Sequence, residues 1–250
     1  MKKTLLTALF ITSFSLTGCS TLNSLIEKPD AEKSVEDFYS AATLAFKNKE
    51  WDVAIDNYEK LKAYFPYGSY AEQSYLELAY AYYKYDEPKS AIRELEEFIR
   101  LYPRHKEMPY AYYLRALAAD SVTRSWLDKF ITDPATRDKV SAENAYNFYS
   151  ELINRFPQSR YATAASERLI ALRNQMARNE LKVARFYYSK QAFLASANRA
   201  EYILQNYPRA VVTAEALELL TDSYQKMGMD VNESHAREVY QLNQGRLQSN

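Results

Sequence analysis

An aromatic residue followed by proline recurs four times along this chain, as Phe65-Pro66, Tyr102-Pro103, Phe156-Pro157 and Tyr207-Pro208. Proline has no backbone N–H to donate, and its ring collides with the turn before it, so each pair closes a helix. A chain punctuated this way cannot form a few long helices or a sheet. It must fold as a series of short helical units, each ending on the same device.

The spacing says what those units are. The first two prolines lie 37 residues apart, close to the period of about 34 residues of tetratricopeptide repeats. Those repeats carry W-x2-L-G-x2-Y, then A-x3-F, then P. Counting back from Pro103, the chain reads Tyr75-x2-Leu78-Ala79-x2-Tyr82 and then Ala91-x3-Leu95. Back from Pro66 it reads Phe38-x2-Ala41-Ala42-x2-Ala45 and then Ala54-x3-Tyr58. The fourth repeat shows Val183-Ala184-x2-Tyr187 ahead of Pro208, and a fifth shows Leu217-x2-Leu220-Thr221-x2-Tyr224 with no closing proline. Small residues at Ala42, Ala79, Ala54 and Ala91 let paired helices approach. Bulky Phe38, Tyr75, Tyr58 and Leu95 fill the space between neighbouring repeats. No pair can bury its apolar face alone, so the pairs must stack. The expected fold is all-α, a tetratricopeptide solenoid of about five helix pairs over residues 34–250. Its repeats fall near 35–66, 72–103, 109–157, 161–208 and 212–248.

Two irregularities break the period. The third repeat, Tyr112-x2-Arg115-Ala116-x2-Ala119 to Ala145-x3-Tyr149, carries an insertion at 121–140 that contains Arg124, Trp126, Phe130 and Arg137. Solenoid insertions fall on one face and often bind; a tolerated loop packed by its own Trp and Phe is an equally good reading. No Gly or Pro divides 160–174 from the first helix of repeat four. One long helix over 161–189 is expected there, joining repeats one to three to repeats four and five.

The N-terminus is of another kind. Met1-Lys2-Lys3 precedes a short apolar run from Thr4 to Ser15, which ends in Leu16-Thr17-Gly18-Cys19. This is the layout of a bacterial lipoprotein signal, with residues 1–18 the leader and Cys19 the lipidated residue. The thiol takes diacylglycerol, and the freed α-amine takes a further acyl chain. At about 0.8 kcal/mol per buried methylene, two or three chains anchor stably. Cys19 is the one cysteine, so no disulfide within the chain is expected. Ser20 rather than Asp after it resembles the outer-membrane sorting of Gram-negative lipoproteins, with the body facing the periplasm. Residues 19–33, with Ser, Thr, Asn and Pro29-Asp30, read as a flexible linker.

Composition excludes whole classes of function. Thirty-two basic residues balance 32 acidic ones, and loss of the leader removes Lys2 and Lys3, leaving a net charge of −2. Such a chain has no electrostatic footprint for nucleic acid. After the leader, no stretch reaches the roughly 18 apolar residues of a spanning helix. Four glycines, with abundant Ala, Leu, Glu, Lys and Arg, agree with helix. His105 and His235 lie far apart without metal-type neighbours, and no metalloprotease, P-loop, nucleophile-elbow or C-x-x-C motif is present. Clusters such as Glu94-Glu96-Glu97 read as solvated helix faces. No enzyme, no metal and no cofactor beyond the acyl groups on Cys19 is expected.

Binding is more legible. In such solenoids the first helix of each repeat lines the concave side. The register puts Tyr39 and Phe46 there from repeat one, Leu76, Tyr80, Tyr83 and Lys84 from repeat two, and Tyr110 and Tyr113 from repeat three. Tyr joins an apolar ring to a polar tip at low entropic cost, which suits extended peptides. Lys84 is a candidate for a peptide carboxylate. The same rings could instead pack between helices, and the pattern leaves both readings open.

The repeat ends, the insertion in repeat three, and the segments Ile153-Asn154-Arg155-Phe156-Pro157-Gln158-Ser159-Arg160-Tyr161-Ala162, Ala184-Arg185-Phe186-Tyr187-Tyr188 and Asn198-Arg199 resemble the BamD family. These are lipoprotein subunits of the outer-membrane β-barrel assembly machine, and the resemblance runs over essentially the whole chain. It implies that the N-terminal repeats receive the targeting signal of unfolded outer-membrane β-barrel proteins, which ends in an aromatic residue. It implies that the C-terminal repeats dock on a POTRA domain of the barrel subunit BamA, with Arg199 a contact, and that BamE and, in some lineages, BamC are further partners. The alternative is a general periplasmic tetratricopeptide lipoprotein, an adaptor that recruits proteases or cell-wall enzymes.

Overall fold

Four turns in this chain share one geometry, and they define the repeat more sharply than the prolines do. Lys49, Asp86 and Gln191 take left-handed φ values of 64°, 65° and 60°, and Gly228 takes 68°. In each turn the next residue's N–H reaches back over the end of the helix. Glu50 donates to Ala45 O at 2.9 Å, Glu87 to Tyr82 O at 2.9 Å, Ala192 to Tyr187 O at 3.0 Å and Met229 to Tyr224 O at 3.0 Å. This left-handed closure satisfies carbonyls that a helix end would leave open. The four acceptors fall in two pairs, 45 and 82, then 187 and 224, each pair 37 residues apart.

The computed structural model describes residues 29–122 and 139–247. Its helices are α1 (Val35–Asn48), α2 (Trp51–Tyr64), α3 (Ser69–Lys84), α4 (Pro88–Leu101), α5 (Met108–Ser121), α6 (Lys139–Arg155), α7 (Ala162–Ser189), α8 (Phe193–Asn206), α9 (Thr213–Lys226) and α10 (Asp230–Leu247). Among the described residues there is no strand, and no helix is long and apolar enough to cross a membrane. The all-α tetratricopeptide class read from the sequence is the observed one. The expected leader 1–18, the lipidated Cys19 and most of the insertion 121–140 lie outside the described residues.

Each second helix closes as the aromatic-Pro pairs require. Phe65, Tyr102, Phe156 and Tyr207 donate their N–H groups to Leu61, Phe98, Leu152 and Ile203 at 2.7–2.9 Å. The following proline then blocks another turn. The small residues twelve positions before each proline, Ala54, Ala91, Ala145 and Ser196, are fully buried.

The chain forms two compact units, divided between Ala71 and Glu72. The first holds α1 and α2. Ser34 caps α1, accepting from Asp37 N–H while the Asp37 carboxylate accepts from Ser34 N–H, a reciprocal capping box. Phe38 is fully buried and stacks on Tyr64 at 5.6 Å and 11°. The expected flexible linker stops short of this unit. Asp30–Glu32 form a 3-10 turn, and the Asp30 carboxylate bridges Lys33 at 2.9 Å and Lys60 of α2 at 3.1 Å.

The second unit has one main core, from Tyr75 and Leu76 through Tyr112, Tyr149 and Leu172 to Ile203 and Ala216. Helix α7 was expected to join two halves. The long helix is present over Ala162–Ser189, and Ala165, Leu172, Met176 and Leu181 along its length belong to that core. Two buried charges tie the helices further. Arg168 of α7 grips Asp120 of α5 with two hydrogen bonds of 2.7 Å. Arg115 pairs with Glu151, its guanidinium held between the Tyr112 and Phe148 rings. Glu94 differs from the solvated face read for it: it is buried, next to the Tyr75 phenol.

Candidate peptide-binding and docking sites

Each of the two units carries its own half-buried tyrosines on the first helices of its repeats. In the first unit, Tyr39 and Phe46 stand seven residues apart, two turns along one side of α1. Both are half-buried. Tyr39 meets Tyr58 edge-on at 6.3 Å and lies 4.9 Å from Tyr70. Phe46 meets Trp51 edge-on at 5.4 Å and Tyr58 at 6.4 Å. One side of each ring packs on α2, and the remainder is open to solvent. The packing reading left open by the sequence is thus observed for part of each ring.

In the second unit, Tyr80 and Tyr83 of α3 are half-buried and 6.4 Å apart. Lys84, the last residue of α3, is exposed. Leu76 does not belong to the face: it is buried in the core. Pro109 starts α5 at a position where its missing N–H costs nothing. One turn of that helix then presents Tyr110 and Tyr113.

A residue the register did not supply completes this group. Tyr161 precedes α7, held there by a turn in which Ser159 donates to Phe156 O and Ala162 donates to Ser159 O, both at 3.0 Å. Its ring stacks on Tyr113 at 4.9 Å and 19° and lies 5.9 Å from Tyr110. Burial, with Tyr80 and Tyr161 alongside, pushes the Tyr110 phenol well above its ordinary value, so its hydroxyl stays neutral. Tyr70 and Tyr161 share one position, four residues after an aromatic-Pro proline. Each lays its ring on the tyrosine that follows the first large core residue of a repeat, Tyr39 in one case and Tyr113 in the other. That offset was readable in the sequence and went unused.

Arg160, the neighbour of Tyr161, is exposed. Its Nη2 donates to the Tyr161 hydroxyl at 2.5 Å, and its guanidinium carbon sits 4.8 Å from the Tyr161 ring centroid. A planar cation over an aromatic face is attracted by the ring's negative quadrupole.

Arg199, the candidate dock residue, lies on α8. It lines an open cleft of about 420 Å³ with Tyr187, Ala195, Asn198 and Tyr202. Its Nη1 donates to Glu180 of α7 at 3.0 Å. Beyond this cleft, Phe186 and Leu194 are exposed by more than half, and Lys190 lies 5.7 Å from the Phe186 ring. The end of α7 and the start of α8 thus present an apolar surface bordered by cations.

The histidines carry no site. His105 Nδ1 accepts from Glu107 N–H at 3.1 Å, and its ring meets Phe98 edge-on. His235 is exposed. Among the described residues no group of three or more His, Cys, Asp or Glu side chains could hold a metal ion.

Known proteins match this chain nearly end to end. A family described as outer membrane lipoprotein, YfiO, matches residues 31–241. An outer membrane protein assembly factor BamD of Neisseria meningitidis is 36% identical over 246 residues, covering 97% of this chain and 91% of that protein. Its namesake from Vibrio cholerae is 33% identical over 229 residues, covering 91% of this chain and 93% of that protein. A solved P58(IPK) TPR domain covers 84% of this chain and 51% of its own, with 15% identity and a TM-score of 0.44.

Proposed function

The chain belongs to the YfiO family of outer-membrane lipoproteins, and from that membership we propose a non-enzymatic scaffold of β-barrel assembly at the outer membrane. In this role it binds unfolded outer-membrane proteins through its tyrosine face and the barrel subunit through its last repeats. Support comes from curated relatives named as outer membrane protein assembly factors, matched over more than nine-tenths of both chains.

The structural observation that carries the binding role is the group of half-buried tyrosines in the second unit, Tyr80, Tyr83, Tyr110 and Tyr113; Tyr39 and Phe46 are half-buried likewise in the first. Half-buried rings are already held in place by their packing, so a peptide gains contact area without paying to order them. Unfolded β-barrel segments alternate apolar and polar side chains. A line of rings with polar tips can take the apolar set and still hydrogen-bond backbone.

Cys19 carries the acyl anchor in this reading, with the repeats in the periplasm. Arg199 and the apolar rim around it form the contact with a POTRA domain of BamA. BamE, and BamC where it is present, are the remaining partners. The test is co-purification of the tagged full chain in mild detergent. Recovery of a large β-barrel protein bearing POTRA repeats is the expected result. Recovery of proteases or cell-wall enzymes without such a barrel would overturn it in favour of a general adaptor.

A further inference from the structure

The segment that leads from Cys19 joins the first unit at one particular end. Ser34 caps the start of α1, and Tyr64 is the last residue of α2. Phe38, in the first turn of α1, stacks on Tyr64 and lies 6.4 Å from Phe65, so the chain enters this helix pair at the end where α2 leaves it. Lys33 Nζ sits 5.4 Å from the Phe38 ring centroid. The Asp30 carboxylate, bonded to both Lys33 and Lys60, fixes the incoming segment to α2. Cys19 lies ten residues before Pro29. However those residues run, they span at most about 36 Å. An acyl group on Cys19 therefore holds this end of the pair close to the membrane surface.

What this end exposes is aromatic. Tyr67 is 89% exposed and Tyr64 52%, with Pro66 and Gly68 open to solvent beside them. We infer that the turn at 64–68 rests on the phospholipid surface to which Cys19 is tethered, with Tyr67 as the inserted ring. The inference rests on the acylation of Cys19 proposed above and adds a second point of contact. A tyrosine ring goes with the acyl boundary while its hydroxyl stays among the headgroups. Pro66 has no N–H to take out of water. The lysines nearest the tether add little charge, because Asp30 and Asp56 lie within 3.1 Å of Lys60 and Asp30 also pairs with Lys33. The rings carry the contact, so a neutral lipid surface suffices. The opposite end of the pair also exposes apolar side chains, Leu44 and Val53. It lies about 20 Å away along helices of 14 residues, and the tether does not leave from it. Tethering raises the local concentration of the surface, so one ring needs only a weak affinity of its own.

The experiment places the acylated full chain in phosphatidylcholine vesicles that carry a nitroxide on the headgroup. Acylation consumes the one cysteine of the chain. Ser69→Cys, beside the turn, and Asn48→Cys, at the far end of α1, then each offer a single thiol for a fluorophore. Both positions are exposed. The label at 69 is expected to be quenched strongly and the label at 48 weakly. Adding Tyr67→Ser should bring the quenching at 69 down to that at 48, and Tyr67→Trp should preserve it. Helical circular dichroism should not change in either variant, since the Tyr67 side chain stands almost wholly in solvent. Equal quenching at 69 and 48, or quenching at 69 untouched by Tyr67→Ser, overturns the contact while leaving the anchor standing. A chain that does not float with the vesicles overturns the anchor and the contact together.

Discussion

Arg199 donates to Glu180 across 3.0 Å, and of the two it is the acid that is buried: the Glu180 side chain is 5% exposed and that of Arg199 is 42% exposed. The arginine therefore has two tasks. It neutralises a carboxylate inside the α7–α8 contact, and it shows the rest of its guanidinium to the surface proposed for the barrel subunit.

Charge reversal at this position is expected to unfold before it informs. Arg199→Glu leaves Glu180 buried without its partner and sets a second carboxylate against it, at a cost of about 3 kcal/mol. Arg199→Lys keeps the charge and should cost about 1 kcal/mol. The pair Glu180→Gln with Arg199→Gln removes both charges at once, and it separates docking from stability. Its urea midpoint should lie near that of the parent, while co-purification with the barrel subunit drops. A midpoint as low as that of Arg199→Glu would show that the α7–α8 contact depends on the ion pair itself, and not merely on leaving no carboxylate unpaired.

The left-handed turn residues make a second expectation. Gln191 holds φ 60° and Gly228 holds φ 68° at equivalent turns, and a Cβ built on Gly228 meets nothing within 4 Å. Sterics against neighbours are therefore absent, and the local backbone term decides. An L side chain in this region costs about 1–2 kcal/mol, partly offset because glycine loses more freedom on folding. Gln191→Gly should raise stability by about 0.5 kcal/mol, and Gly228→Ala should lower it by about 1 kcal/mol. Denaturant midpoints moving in opposite directions would bear this out, and shifts of the same sign would refute the shared geometry.

These turns also mark where the sequence stopped being readable. The aromatic-Pro pairs announced the ends of α2, α4, α6 and α8, because proline imposes the same constraint wherever it stands. Lys49, Asp86 and Gln191 announced nothing, since no glycine signals their positive φ and only the closing hydrogen bonds reveal it. The half-buried tyrosines of α1, α3 and α5 followed from repeat register, which fixes helix faces. Leu76 lay on the predicted face yet is buried, because register gives a direction and not the depth of the neighbouring helix. Tyr161 and Arg160 stand at the entry to α7, where the four-residue offset from the aromatic-Pro proline, not the concave-face register, would have found Tyr161. Glu180 and Arg199 are 19 residues apart on different helices, and Glu94 looks like any acid in a charged run; only tertiary packing shows that Glu180 and Glu94 are buried.

Alkaline pH should destabilise the second unit. Desolvation raises the Tyr75 phenol to about 12. Desolvation first, and then the Glu201 carboxylate that accepts its proton, does the same for Tyr224, again to about 12. Burial also raises Tyr110 and Tyr207. In the unfolded chain each ionises near 10. The unfolded state therefore loses protons first, and the stability present below pH 10 is lost as pH rises through 10 to 12. Absorbance at 295 nm is expected to show part of the 23 tyrosines ionising only as helical circular dichroism falls. Ionisation of every tyrosine in one step near pH 10, with helix intact, would refute it.

The stack of Tyr113 on Tyr161 at 4.9 Å carries the last expectation. Tyr161 caps α7 through its backbone, its carbonyl accepting from Ala165 N–H at 3.0 Å, so changing its side chain should disturb the ring stack more than the helix. An offset aromatic pair contributes about 0.5–1.5 kcal/mol beyond its buried area. Tyr161→Leu keeps apolar volume but loses the stack, and it should weaken binding of a labelled peptide of alternating apolar and polar residues about three- to tenfold. Tyr113→Phe keeps the ring and its stack and should bind within about twofold of the parent, since a single neutral hydrogen bond contributes little net. Fluorescence anisotropy on the two variants separates the contributions. A large loss in Tyr113→Phe would mean that the hydroxyl, and not the ring, meets the ligand.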